Sequence, residues 1–250
     1  MPPMDLGLDG RTAIVCGASA GMGLAIAEAL TAEGANVAMF ARRRDVLEPE
    51  AERIGALAVR GDVRDPADLK RLVDRTLKAF GGIDIVVNNS GGPPRGSLGD
   101  ADEEAIESAV ELLLLSAVRL TNMCLRHLEK GGHGRVINIE SSTLREPSDN
   151  LALSNIVRPG VLGWAKTLAR EAGPKRITVN TIAPGKIDTA RLAEAYVNRS
   201  RADDMKAIPL RRFGEAREVA DVVCFLASDR ASYVTGTVIP VDGGLTRGLL

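Results

Sequence analysis

Aromatic residues make up only 3% of these 250 residues: one Trp, two Tyr and four Phe. Histidine is scarcer still, with His127 and His133 alone. That excludes an imidazole-based metal cluster and leaves little for a Ser-His-Asp hydrolase. Three scattered cysteines, Cys16, Cys124 and Cys224, form neither a disulfide framework nor a metal-ligand spacing, which points to a reduced, cytoplasmic compartment. Charge of one sign is missing as well. Lys plus Arg total 32 against 33 Asp plus Glu, a net charge of −1. Such a balance supplies no field for nucleic acid or a membrane surface. The leucine run Leu112 to Leu115 is far shorter than the ~18–20 uninterrupted apolar residues of a spanning helix. Met1-Pro2-Pro3-Met4-Asp5 lacks the basic-then-apolar layout of a signal peptide.

What is present is an apolar fraction of 45%, enough to exclude disorder. Short β-branched runs recur at 13–16, 36–40, 57–59, 83–87, 136–139, 177–182 and 238–241. Stretches with helical spacing separate most of them. Continuous apolar strands alternating with helices predict an α/β, Rossmann-type doubly wound parallel sheet of about seven strands, with helices on both faces. No linker, repeat or low-complexity tract interrupts the chain, so residues 1–250 read as one domain. The stretch around Glu103 to Leu128 reads as one helix. Its four leucines span about 300° of circumference, so it should be buried nearly all round. A sheet covers one face only; a second copy of the chain, or else an intrachain core, covers another.

The first strand runs into Gly17-Ala18-Ser19-Ala20-Gly21-Met22-Gly23 and a helical stretch. Glycines at 17, 21 and 23 permit a tight turn and close backbone approach to a pyrophosphate, which the helix amides then face. Gly17, Ser19, Gly21, Met22 and Gly23 are therefore candidate dinucleotide-binding residues. The second strand leads into Arg42-Arg43-Arg44, with no acid before Asp45. An acid at this point binds a free 2′-hydroxyl, whereas arginine accepts a 2′-phosphate. Arg42 and Arg43 thus favour NADP(H) over NAD(H).

With these motifs the sequence resembles the short-chain dehydrogenase/reductase family, and within it the β-ketoacyl-ACP-reductase-like members, over nearly its whole length. Asp62-Val63 is similar to the family's adenine-contacting pair. Asn88-Asn89-Ser90-Gly91 resembles its N-N-A-G stretch, and Gly134 to Ile139 its fifth strand. Pro184-Gly185-Lys186-Ile187-Asp188-Thr189 matches the nicotinamide loop; Tyr233-Val234-Thr235-Gly236 and Val241-Asp242-Gly243-Gly244 match the C-terminal signature. The resemblance implies cofactor contacts at Asp62, Val63, Asn89, Ser90, Gly91, Pro184, Gly185, Ile187 and Thr189. It also implies a small-molecule substrate and a homo-oligomer, either tetramer or dimer.

The catalytic positions depart from the family pattern. Ser141 fits the catalytic serine, but Ser154 stands where the family carries Tyr and Arg158 where it carries Lys. Leu113 occupies the place of a proton-relay Asn. A carbonyl that accepts a hydride needs a proton, and a serine hydroxyl is a far weaker acid than a phenol. A guanidinium holds its proton, yet offers fixed charge and several donors to an oxyanion or a carboxylate. Ser141, Ser154 and Arg158 are the candidate catalytic residues, the last two sharing a helix face. The proton then comes from water, from Tyr196 or from Lys186. Tyr233 reads as structural, and Glu140 as an outward-facing acid at the end of a strand. Pro159 predicts a kink if the helix begins before Ser154. Arg145 and Arg191 are further candidates for an anionic substrate.

Three functions fit. One is an NADP(H)-dependent oxidoreductase with a non-standard site, acting on a carbonyl, imine or alcohol. Another is a catalytically silent NADP(H)-binding homologue, acting as a sensor or supporting subunit. The last is a non-redox enzyme on the same scaffold.

Overall fold

The computed structural model describes residues 5–194, 196 and 200–248. The opening residues 1–4 used in the signal-peptide reading, and Ala195 within the segment after Thr189, lie outside the described residues. Seven parallel strands form one sheet in the order β3-β2-β1-β4-β5-β6-β7. They are β1 (Thr12–Cys16), β2 (Asn36–Ala41), β3 (Leu57–Arg60), β4 (Ile85–Asn88), β5 (Arg135–Ile139), β6 (Thr178–Pro184) and β7 (Val238–Val241). The predicted runs all became strands, with two shifts. β4 starts two residues late, although Asp84 still bonds Thr12 O through its amide. β6 runs on into Pro184, which delivers the next glycine to the sheet edge.

Alternate residues of each strand feed opposite cores. Val15, Met39, Ile85, Ile137 and Ile182 face one layer, made by α1 (Gly21–Ala32), α2 (Arg44–Ile54) and α9 (Ala216–Ala227). Ile14, Phe40, Val86, Val136 and Val179 face the other. That layer holds α3 (Pro66–Phe80), α5 (Ser116–Gly131) and α6 (Ala152–Ala172), with α4 (Glu103–Val110) leading into α5. Two short helices, α7 (Ala190–Glu194) and α8 (Arg201–Ala207), follow β6. α3 shows how locally such elements are written. Asp65 accepts from Ala67 N at 2.8 Å as N-cap, Pro66 takes the first turn, and Gly81 ends the helix at φ 81°.

The long helix predicted around Glu103–Leu128 is interrupted. A π-helical turn, Glu111–Leu115, joins α4 to α5, and Ser116 Oγ donates to Leu112 O at 2.6 Å. The chain buries Leu113 and leaves Leu112, Leu114 and Leu115 half-buried. By length and composition the run Glu103–Gly131 is apolar enough to cross a membrane. Here it packs against α3, α6 and β4. α6 begins before Ser154, as the kink reading requires, and carries Pro159 inside it. Proline has no N–H for the Asn155 carbonyl.

β1 and β4 are neighbours from which the chain winds in opposite directions, so their carboxyl ends open a crevice. The loops that follow β1, β4, β5 and β6 form its walls.

Candidate active site

The glycine turn is shaped by what a side chain would strike. A Cβ on Gly23 would lie 2.2 Å from Gly17 O, and one on Gly17 (φ 60°) 2.7 Å from Asn89 Nδ2. Asn89 in turn donates to Cys16 O at 3.0 Å, tying the turn to the end of β4. No side chain caps α1 and no acid occupies its first turn. Its positive end therefore faces the crevice uncompensated, the right donor set for a diphosphate. Across the gap, Thr189 Cγ2 lies 3.3 Å from where a Gly21 Cβ would stand. Gly185 N donates to Val241 O at 3.0 Å, and Ile187 is buried.

Arg42 and Arg43 are exposed at the end of β2 and make no side-chain hydrogen bond or ion pair among the described residues. Arg44, next in line, is paired with Glu48 at 2.8 Å. Asp62 is held by Arg64, whose hydrogen bonds keep its carboxyl below the usual carboxylate range. Val63 packs against the core below it. Ser90 Oγ donates to Gly91 O at 3.1 Å. Gly17, Gly23 and Asn89 thus meet at the carboxyl ends of β1 and β4, with Thr189 across the gap beside Gly21.

The catalytic positions hold a buried ion pair. Arg158 Nη1 donates to Glu140 Oε2 at 2.7 Å, with side chains only 9% and 5% exposed. Arg158 Nε reaches Ser154 Oγ at 3.4 Å, so the four-residue spacing does bring these two together. The outward-facing reading of Glu140 is overturned. β5 is buried along its whole length, so the residue just past its end stays under the crevice floor. Burial pushes the Glu140 carboxyl above the usual carboxylate range, and Arg158 pulls against it. Ser141 Oγ accepts from Thr143 N at 3.2 Å, heading a 3₁₀ turn, Ser142–Leu144, that packs on α6. Both serines accept through oxygen, which leaves each hydroxyl proton to donate elsewhere.

Beside Glu140 lies a recess of about 10 Å³, room for about one water. Its wall includes Leu113, in the π turn where the resemblance placed an Asn. Cys16 also lines it. Burial pushes that thiol up to about 12, so it stays protonated.

The two alternative proton donors turn out to be neighbours. Lys186 Nζ donates to Tyr196 Oη at 3.3 Å and pairs with Asp204 at 2.6 Å; Tyr196 donates to the same carboxylate. Sequence reasoning missed Asp204, for which no motif spoke. Arg191 donates to Gly92 O at 2.6 Å, over the crevice. Arg145 is turned away to Val238 O at 3.2 Å, which removes it from the substrate candidates. Tyr233 is fully exposed, so the structural reading fails: the turn after Ala231 points its ring outward.

A family model described as enoyl-(acyl carrier protein) reductase matches residues 17–246. The 3-oxoacyl-[acyl-carrier-protein] reductase FabG of Escherichia coli K12 is 36% identical over 242 residues, 96% of this chain and 99% of the relative. This chain belongs to the short-chain dehydrogenase/reductase family. Among its members it is β-ketoacyl-ACP-reductase-like. The L-sorbose reductase of Gluconobacter frateurii, solved with NADPH and L-sorbose, superposes with a TM-score of 0.91 at 32% identity, over 98% of this chain and 100% of that one. YwfH, an NADPH-dependent reductase involved in bacilysin biosynthesis, gives 0.92 at 26% identity, over 96% and 99%. Reductases thus surround this chain in both sequence and structure.

Proposed function

We propose that the chain is an NADP(H)-dependent oxidoreductase that stabilises charge on a substrate oxygen with Arg158 and serine hydroxyls, in place of a tyrosine and lysine. The observation that carries this reading is the Glu140–Arg158 pair. It fixes a guanidinium where the substrate's reacting group is expected. The α1 amides and the Gly17–Gly23 turn, with Ser19 and Met22, would hold the diphosphate, and Arg42 and Arg43 the 2′-phosphate. Asp62 and Val63 would flank the adenine. Asn89, Ser90 and Gly91 would face the ribose, with Pro184, Gly185, Ile187 and Thr189 at the carboxamide.

Bound NADPH supplies a hydride to the substrate's carbonyl or imine carbon. Arg158 and the hydroxyls of Ser141 and Ser154 donate to the oxygen as its negative charge grows, the preorganised electrostatic stabilisation that such sites provide. One proton from water, or from the Tyr196–Lys186–Asp204 cluster, would complete the alcohol, or the amine where the substrate is an imine; the reverse reaction would return the hydride to NADP⁺. A tyrosine general acid typically contributes about 10²–10⁴-fold, so in its absence the contacts of Arg158 to the developing charge carry the rate. The soluble cytoplasmic homo-oligomer of the sequence reading, tetramer or dimer, belongs to this proposal.

A second reading has its own support. Glu140 offsets the charge of Arg158, which suits a silent NADP(H)-binding homologue. Titrating NADPH and NADH, then following NADPH absorbance with ketones, imines and quinones, separates the two. NADPH should bind more tightly than NADH and be consumed. Tight binding without consumption across the panel would leave the silent reading standing. With an active substrate in hand, Ser154→Tyr/Arg158→Lys should lower that activity, and unchanged turnover would remove Arg158 from the mechanism.

A further inference from the structure

The water-sized recess beside the buried pair has an uneven lining. Its polar side chains are Asn88, Asn89, Ser90, Ser116 and Glu140, set among apolar ones. Asn88 has spent its amide hydrogens on Thr121 Oγ1 at 3.0 Å and Asn138 Oδ1 at 2.8 Å, and Asn89 donates to Cys16 O. The Ser90 hydroxyl donates to Gly91 O and that of Ser116 to Leu112 O. What these side chains still offer a water is mostly oxygen lone pairs, and none of them exchanges a proton near neutral pH. The Cys16 thiol, pushed up to about 12 by burial, keeps its proton. Among the described residues of this wall, Glu140 alone can give or take one. Arg158 Nη1 occupies its Oε2 at 2.7 Å, whereas Oε1 makes no hydrogen bond among the described residues and is left for a water. Leu69 and Leu120 close the recess toward the core, and half-buried Asn89 and Ser90 connect it to the crevice.

The charges fit an exchange. Hydride transfer puts a negative charge on the substrate oxygen, and a proton moving there from Glu140 transfers that charge to the carboxylate. From hydride transfer onward a single anion therefore faces the guanidinium, and no buried anion is left unpaired. Burial pushes the Glu140 carboxyl above the usual carboxylate range, nearer to where proton exchange is efficient, and Arg158 is the charge that opposes the rise. β4 and β6 carry no ionisable side chain, and Glu111 of the π turn is paired with Arg119.

We propose that Glu140 exchanges the reaction's proton with the substrate oxygen through a water in this recess. In reduction, the substrate carbon takes the hydride and its carbonyl π pair moves to oxygen. The water passes a proton to that oxygen and takes one from the Glu140 carboxyl. An alcohol, NADP⁺ and a carboxylate result, and solvent returns a proton to the carboxylate. Oxidation runs the same steps backwards. This deepens, and rests on, the oxidoreductase reading of the same cleft.

The first measurement needs no substrate. Infrared difference spectra between the parent protein and Glu140→Gln, titrated from about pH 4 to 9, isolate the carboxyl stretch of Glu140. That band should titrate above the ordinary carboxylate range; no titrating band across the series overturns the proposal. The second measurement follows NADPH consumption with ethyl acetoacetate as the carbonyl probe. The parent kcat should fall as pH climbs through the infrared midpoint, because the proton must start on Glu140. Glu140→Gln should lower kcat by about 10²-fold or more, flatten that profile and leave NADPH affinity unchanged. Ala117→Val narrows the recess while keeping Glu140 and Arg158, and it serves if Glu140→Gln fails to fold. It should lower kcat about tenfold or more. Parental kcat in Ala117→Val, or the parental pH profile in Glu140→Gln, overturns the proposal. The two readings fail separately. A Glu140 band that titrates as expected, in a protein that leaves NADPH unconsumed across ketones, imines and quinones, removes the oxidoreductase reading. NADPH consumption that is indifferent to Glu140→Gln removes the proton exchange alone.

Discussion

The crevice has two walls built on opposite principles. On the dinucleotide side the chemistry is backbone and space. α1 offers uncapped amides, Gly17 and Gly23 leave no room for a side chain, and Arg42 and Arg43 stand exposed at the surface. On the substrate side the chemistry is buried charge, with Arg158 and Glu140 locked together beneath the floor. The first wall spends little of the fold's stability on its function, because exposed arginines and helix amides stay hydrated until a ligand displaces water. The second desolvates two ions, which costs several kcal/mol per ion before their attraction repays it. The walls should therefore respond differently to mutation: one in binding, the other in stability as well.

Breaking the buried pair should give the largest effect. Arg158→Met leaves Glu140 unpaired in the interior, a loss of about 3–5 kcal/mol in urea denaturation at neutral pH. The sign of its pH dependence is fixed. Burial raises the Glu140 carboxyl and Arg158 opposes the rise, so removing Arg158 raises it further. A folded state with a raised carboxyl is most stable below the ordinary carboxylate range and loses stability as pH climbs through the raised value. The deficit against the parent protein should thus shrink in acid and widen toward neutral pH. Glu140→Gln/Arg158→Met should recover much of it. A deficit that stays constant with pH would show that packing, not charge, sets the value of the pair.

Gly23→Ala is the corresponding lesion in the other wall. Its Cβ meets Gly17 O at 2.2 Å, a backbone atom that cannot swing aside. Overpacking of this kind costs about 1–3 kcal/mol, and the displaced turn should lose NADPH binding. Arg158→Met, wherever it remains folded, should keep that binding. A Gly23→Ala protein with normal NADPH affinity would mean that the α1 amides do not hold the diphosphate.

The contrast between the walls also explains what could be read in advance. Strands and glycine turn were legible because each is encoded within a few neighbouring residues: β-branched runs and a Gly trio. Substitutions at Ser154 and Arg158 were legible too, since their spacing from Ser141 is local. Their consequence was not. Glu140 looked like a solvated strand-end acid because its partner lies 18 residues away on another element. One signal was available: a cation placed on an inward helix face needs a counter-charge, and Glu140 is the acid next to Ser141. Asp204 and the π turn at Leu113 carried no such signal, because each matters only through what the fold brings beside it. Tyr233 misled for the converse reason: membership of a motif was taken for a structural role, and its ring is exposed.

Arg42→Ala and Arg43→Ala sharpen the comparison at a smaller scale. Both side chains are exposed and make no hydrogen bond or ion pair among the described residues, so stability should change by no more than about 0.5 kcal/mol. Hydrogen bonds to a charged group are worth about 1.5–3 kcal/mol, so NADPH affinity should fall about tenfold or more while NADH affinity holds. Parallel losses for both nucleotides, measured by fluorescence titration, would cut the link between these arginines and the 2′-phosphate.

The smallest expected effect isolates the variable that separates the walls. Lys70 and Asp74 on α3 pair at 2.6 Å, as closely as Arg158 and Glu140 at 2.7 Å, but their side chains are 70% and 58% exposed. Distance is matched; only burial differs. Water screens the exposed pair and hydrates each partner left behind, so Asp74→Asn should cost about 0.5 kcal/mol or less and fade further at high salt. If urea denaturation instead gave Asp74→Asn a loss comparable to that of Arg158→Met, contact geometry would govern both pairs. The buried one would then have no claim to be more than another ion pair of the fold.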